Sequence, residues 1–506
     1  MAVPHLPPEI INIILSFALP SSTTPSSLLD IHFARTREQS HDKSLTSLVS
    51  SAGRSWLPFA RNLLWHDVHV GSTMRAEKLI KALTLALPGN PQSKGYLVPL
   101  VQRLEIDIRE RPLPNNQRTE GGAVPAKRPK FEKAHQDGIL PVQIAQLATL
   151  LPHLSTLCIN ISIPGGWLCE SSIFDAFHRF TDRSELKHLE ITSSGLGYRN
   201  ALHTFLESPA LESVKLRGLQ PDWSLLADQR ESNLTMLSQP IPQIPYPFTS
   251  TLQKLVLWEC RLDPQEFIDL FSSLSHSSQP SLKYLVLHRL ETREATLGRS
   301  ALPFPSATLI SSLSPLVPIL ESFHLVLPLT SSSIPYPLDS LSPHFSSTLK
   351  TLVLGGPSLL SLPIFLQILS TNDSFRPTHL TLTQCTYTPN SPNSPSHGLK
   401  AIDLISALKE NWTSTLELLD VEGMSDSLLD GSEQDEGEKY WDSLSIGKLR
   451  DAVEGMNRER KKEGKKELGL KVDEELEERE REEREWEERR RARSRGGRGR
   501  GARGRR

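Results

Sequence analysis

Cysteine is scarce in this chain. Four thiols in 506 residues, Cys158, Cys169, Cys260 and Cys385, are too few and too scattered for a disulfide framework, which points to a reducing compartment. Long apolar runs are missing as well, because none reaches the ~18 residues a membrane span needs. The opening stretch "LPPEIINIILSFALP" has no basic residue before its apolar run, and Glu9 and two prolines stand where a secretory leader would be positive. The chain also lacks a Walker loop, a His-Glu-x-x-His, a Gly-x-Ser-x-Gly and a Cys-x-x-Cys. One dinucleotide-type match, Gly499-x-Gly501-x-x-Gly504, lies in an arginine-rich end with no strand before it and no helix after it, so a pyrophosphate would have no cradle. No catalytic residue, cofactor or metal ligand is therefore expected, and the protein is expected not to be an enzyme and to lie in the cytoplasm, the nucleus or both.

What is abundant is proline, 38 residues against a usual share of about 5 %, together with serine. Such a chain reads as short structured pieces joined by many turns. A length of 506 residues allows several domains or one long repeat array. The net charge of −2 hides a sorting of charge. The final eighteen residues, from Arg489, carry ten arginines and no acid, whereas 472–488 holds eleven acids and three arginines.

The first 70 residues read as three short helices. Pro7 and Pro8 suit a first helical turn, where their missing N–H groups would be unpaired anyway. Ile10, Ile13, Ile14 and Phe17 then follow helical spacing, with Ile11 and Leu15 as a second apolar strip. A second helix is expected from Ser44, with Leu45, Leu48, Val49 and Ala52 on one side, and a third from Pro58 to near Trp65. A module this small that also shows an apolar face needs a cover.

The segments "LPPEI…IL", "LTSLVSSAGRSW" and "ARNLLW" resemble an F-box, the helical module that docks a Skp-type adaptor of cullin–RING ubiquitin ligases. Leu6, Pro7, Glu9, Ile10, Ile14, Arg54, Trp56, Leu64 and Trp65 stand at matching places. Two departures are visible: about twenty extra residues between the first two helices, and Ala52-Gly53 where the family commonly has Val-Cys. The resemblance is of the fungal F-box-like type and covers residues 5–70. It implies an adaptor contact through Leu6, Pro7, Ile10, Ile14, Leu48, Trp56, Leu64 and Trp65.

From residue 100 onward a Leu-x-x-Leu-x-Leu pattern recurs ten times with variants, from "VQRLEI" to "LELLDV". Its fourth positions are Leu104, Leu157, Leu189, Val214, Leu255, Leu285, Phe323, Leu352, Leu380 and Leu419, commonly spaced near 30 residues. This is the signature of leucine-rich repeats stretched by insertions. Each unit turns alternate apolar residues of a short strand inward, and stacked neighbours bury what one unit alone cannot. The apolar runs "PVQIAQLATLLPHL", "PQEFIDLFSSLSH" and "LPIFLQILST" fit helices on the other side of the array. Cys260 and Cys385 take the Asn/Cys position of their repeats, where a buried side chain satisfies backbone in the turn. His188, His288 and His324 fall beside strands in separate repeats and are expected on the surface or in turns.

The fold class expected is thus α/β. An F-box-like helical module at 1–70 precedes an irregular leucine-rich-repeat solenoid, a horseshoe arc, at 71–425, with inserted loops at 111–138, 220–250, 291–304, 328–347 and 386–398. A charged, mostly disordered tail follows at 426–506 and ends in Arg/Gly-rich sequence. The expected function is a non-catalytic substrate-recognition subunit of a cullin–RING ligase, with a Skp-type adaptor and an unknown protein target as partners. The alternative is a nuclear RNA-associated scaffold using the arginine tail. Its candidate nucleic-acid or nuclear-import contacts are Lys127, Arg128 and Lys130 in "AKRPK", and Arg493, Arg495, Arg498, Arg500 and Arg503. No membrane partner is expected.

Overall fold

The computed structural model describes residues within the spans 65–85, 101–109, 139–162, 176–193, 210–218, 251–292, 302–326, 341–355, 375–383, 401–422 and 443–472, with short breaks inside some of them. The chain forms two compact units, one made of 1–194 with 208–211, the other of 195–207 with 212–506.

In the first unit, β1 (Asp67–Val70), β2 (Arg103–Arg109), β3 (Thr156–Ser162) and β4 (His188–Ser193) lie side by side in chain order, all parallel. The register stacks equivalent repeat positions. Leu104 pairs with Leu157 and Leu157 with Leu189, while Ile106, Ile159 and Ile191 form a second row. All six are at most 2 % exposed. Two helices cover this apolar side. In α1 (Thr73–Leu85), Ala76, Leu79 and Leu83 are buried at helical spacing, and the Ser72 hydroxyl accepts the Arg75 N–H at 3.3 Å as a cap. In α2 (Pro141–Leu150), Pro141 takes the first helical position and the Gln143 side chain accepts the Leu140 N–H at 3.1 Å. Gln143, Ile144, Leu147 and Ala148 are buried.

The second unit repeats the design over more strands. β5 (Ser213–Arg217), β6 (Lys254–Trp258), β8 (Tyr284–His288), β11 (Ser322–Val326), β12 (Thr351–Gly355), β13 (His379–Thr383), β14 (Leu418–Glu422) and β15 (Gly469–Val472) pair in that order, all parallel. Val214, Leu255, Leu285, Phe323, Leu352, Leu380 and Leu419 form one continuous row. Three short strands, β7 (Arg261–Leu262), β9 (Glu291–Thr292) and β10 (Leu302–Pro303), make a separate small sheet. The region 291–304, expected as a plain loop, therefore carries strand pairing at both ends. Helices α3 (Pro264–Ser275), α4 (Ser306–Leu313), α5 (Ala401–Ala407) and α6 (Ser443–Lys462) belong to the intervals between strands. The α3 run buries Phe267, Leu270, Phe271 and Leu274, as its sequence implied.

Two backbone regularities tie neighbouring repeats of this unit together. Where a strand starts, one carbonyl of the preceding repeat accepts two successive N–H groups. Gln253 O takes those of Lys283 and Tyr284, Lys283 O those of Glu321 and Ser322, and Lys350 O those of Thr378 and His379. Where a strand ends, Gly218, Glu259 and Arg289 adopt positive φ of 65°, 52° and 50° at equivalent positions. Their N–H groups donate to the last strand residue of the next repeat, Trp258, His288 and Val326 respectively, at 2.8, 2.7 and 2.6 Å. Two of the three positions hold side chains that the left-handed region disfavours, so the stacking bond is what keeps the turn closed.

Two expected boundaries move. Asp67–Val70, expected inside the helical module at 1–70, is instead a strand paired with β2. The array does not stop near 425, because Gly469–Val472 pairs with β14 after α6. That last unit hides in sequence because its helix is dominated by charge, with Ile446, Leu449 and Val453 as the apolar residues buried on it among those described, and its strand motif is cut to "GLKV". "LPIFLQILST" and Cys385 lie outside the described residues. Among the described residues, no helix is long and apolar enough to cross a membrane.

Candidate functional site

Alternation along each strand leaves one set of side chains for the apolar interior and the other for the opposite face. On the first unit that opposite face is polar. Register places His69 of β1 beside Glu105 of β2, and Asp107 of β2 beside Asn160 of β3. The His69 Nε2 lies 3.2 Å from Asp107 Oδ2. The Asn160 amide donates from Nδ2 to Glu105 Oε1 at 2.7 Å and to Asp107 Oδ1 at 2.9 Å. Asp107 is only 3 % exposed. Its hydrogen bond to His69 is the main cause holding that imidazole's pKa above the usual value, against the opposing effect of burial. Burial is the main cause raising the Glu105 carboxyl, opposed by the charge of His69. Cys158, facing Glu105 across the ladder, is buried, and burial pushes its thiol up to about 12. It is an inert thiol, not a nucleophile.

On the second unit the same face turns partly apolar. Val256, Trp258, Val326 and Val353 are all at most 4 % exposed. Trp258 stacks on His288 with ring centroids 3.6 Å apart, and the Arg217 guanidinium carbon sits 5.9 Å from the Trp258 ring centre. Glu259 lies between Arg217 and Arg289, at 3.8 and 3.5 Å. His324 is half-buried with its Nδ1 enclosed, and the Ser322 hydroxyl is 3.0 Å from Nε2. Burial and the charge of Lys254 lower its pKa to about 4.

The histidine expectation is thus corrected at two of three places. His188 is exposed, but His288 is buried at the end of β8 and His324 is largely enclosed, because both project from strand positions that neighbouring repeats cover. Cys260 fits its expected part. It is fully buried, and its thiol donates toward Leu216 O and Trp258 O at 3.4 Å. Of the adaptor-contact residues, Trp65 is half-buried in a helical turn just before β1. Leu6, Pro7, Ile10, Ile14, Leu48, Trp56 and Leu64 lie outside the described residues. So do Lys127, Arg128, Lys130 and the tail arginines Arg493, Arg495, Arg498, Arg500 and Arg503. The His69–Glu105–Asp107 group was not anticipated. His69 is far in sequence from Glu105 and Asp107, and the signal for the group was alternation within "DVHV" and "RLEIDIR".

The in-register Leu-x-x-Leu-x-Leu ladders define a leucine-rich-repeat architecture. Compared with known proteins, the sequence matches no family model and no curated protein. Among solved structures, it is similar to the leucine-rich-repeat-containing protein LegL7 from Legionella pneumophila, with 16 % identity and a TM-score of 0.32. That match covers 62 % of this chain and 94 % of the other.

Proposed function

We propose that this chain is a non-catalytic protein receptor that binds its target through the non-core face of the strand ladders. We further propose that it serves as the substrate-recognition subunit of an SCF-type cullin–RING ubiquitin ligase. The observation that supports the receptor reading is the ladder itself. Parallel strands about 4.8 Å apart present chemically varied side chains in columns, a rigid surface suited to another protein's exposed groups. The adaptor reading rests on the F-box-like sequence between Leu6 and Trp65, whose first apolar stretch has the helical spacing that the groove of a Skp-type adaptor would accept. The ligase's other subunits would supply the chemistry.

The test is co-purification of the full chain with the Skp-type adaptor of its own organism. Replacing Leu6, Pro7 and Ile10 together with alanine removes the adaptor while circular dichroism of the repeats stays unchanged. Undiminished co-purification of that triple variant overturns the assignment. The ten arginines from Arg489 onward favour a second reading, RNA association through the tail, and deleting 489–506 is its direct test.

A further inference from the structure

The most unusual polar arrangement among the described residues is the one on β1 and β2. One imidazole nitrogen of His69, one carboxylate oxygen of Glu105 and one of Asp107 all lie within 4.8 Å of one another. Metal–ligand bonds of about 2.0–2.2 Å set neighbouring donor atoms roughly 3–4 Å apart. Small rotations of the exposed His69 ring and of Glu105 therefore bring three donors around a single ion. The scaffold is already set for it. Two carboxylates two residues apart on one strand are held on the same side, and Asn160 anchors Oε1 of one and Oδ1 of the other. This is the outer hydrogen bonding that orients metal-binding carboxylates. Gly71 leaves room for the imidazole, since a Cβ there would sit 3.2 Å from His69 Cε1.

We propose that His69, Glu105 and Asp107 form a three-ligand site for a divalent transition-metal ion of the zinc type on the strand face of the first unit. A nitrogen donor with two carboxylates selects against calcium and magnesium, which favour all-oxygen sets. Three protein ligands on a partly exposed face leave a fourth position for water or for a donor from a bound protein. Arg75, whose Nη1 is 3.4 Å from His69 Nδ1, is exposed and able to swing away as the ion arrives. The alternative is a closed hydrogen-bonded group, His69–Asp107–Asn160–Glu105, with no ion. This inference is independent of the receptor reading, and either can fail alone.

The experiment uses the full chain, stripped with chelator, dialysed against zinc ions and then against cobalt ions. Metal content is measured with the visible spectrum of the cobalt form. The expected result is one tightly held zinc per chain and a cobalt spectrum of four-coordinate type. Affinity falls about 10- to 100-fold in His69→Ala and in Glu105→Gln, and by a similar factor in the positioning variant Asn160→Ala. His153→Ala, at a separate exposed His–Glu pair, leaves binding unchanged. His69 itself is exposed, and circular dichroism checks that each variant keeps the fold. The proposal is overturned if no saturable zinc binding occurs, or if His69→Ala and Glu105→Gln bind as well as the parent chain.

Discussion

The indole of Trp258 lies flat on the imidazole of His288, with ring centroids 3.6 Å apart and planes 10° from parallel. The two residues are register partners on adjacent strands, so the stack repeats the pairing of the backbone in the side chains. Trp258 is 3 % exposed although it stands on the non-core face. Trp258→Ala should therefore cost about 3–5 kcal/mol, as for other buried aromatics. Tyr284→Ala, 40 % exposed on the neighbouring strand, should cost under about 1 kcal/mol. Urea unfolding of the full chain, followed by circular dichroism, measures both.

His324 sets a pH dependence. Its folded pKa of about 4 lies below the ordinary value of 6.5, because burial and then Lys254 disfavour the imidazolium. The unfolded chain therefore binds the proton more readily, and stability rises with pH between those two values. The contribution is complete above 6.5 and is lost as pH falls toward 4. His324→Gln should flatten the stability profile over that window relative to the parent chain. Equal slopes in both proteins would contradict the assignment.

Two glycines should respond to alanine in opposite directions. At Gly355 a Cβ would stand 2.6 Å from Thr383 Cγ2, 2.7 Å from Thr383 O and 2.9 Å from Val326 Cγ1. One of these atoms is backbone, so Gly355→Ala should destabilise by about 1–3 kcal/mol. At Gly447, inside α6, nothing lies within 4 Å. Gly447→Ala should stabilise by about 0.5–1 kcal/mol, because alanine is the better helix former. Thermal unfolding of the two variants reads both signs.

The last repeat should be indispensable to its neighbour. Arg460 of α6 is 8 % exposed, and it donates to Leu416 O and Lys466 O, each at 2.8 Å. Asn457 closes the turn to β15, donating to Leu468 O at 3.0 Å and accepting from Leu468 N–H at 2.7 Å. A chain ending at 425 loses these bonds and leaves β14 as a bare edge, so it should aggregate on heating. A chain ending at 472 should unfold like the parent. Arg460→Ala alone should cost about 1–3 kcal/mol through the unsatisfied Leu416 carbonyl. Light scattering during a thermal ramp separates these cases.

Much of the fold was legible because one physical signal repeats. All ten fourth positions of the Leu-x-x-Leu-x-Leu pattern fall on strands with their leucine-equivalent side chains buried. The signal failed where the repeat was shortened. "DVHV" at β1 and "GLKV" at β15 keep the alternation but lack the leading leucine. The face was harder to read than the core. Whether His288 is buried depends on Trp258, a residue one repeat away, and whether His69 meets Asp107 depends on register between strands. Neither relationship is written in local spacing, and only the stacking of units creates it.

The proposed docking of a Skp-type adaptor by the N-terminal residues is open to direct measurement. Titration calorimetry of the purified full chain against the purified adaptor tests it most directly. A one-to-one complex is expected, with Kd on the order of a micromolar or tighter, about −8 kcal/mol or better, lost in the Leu6/Pro7/Ile10 triple-alanine variant. No heat of binding from a folded parent chain, or equal binding by the triple variant, would contradict it.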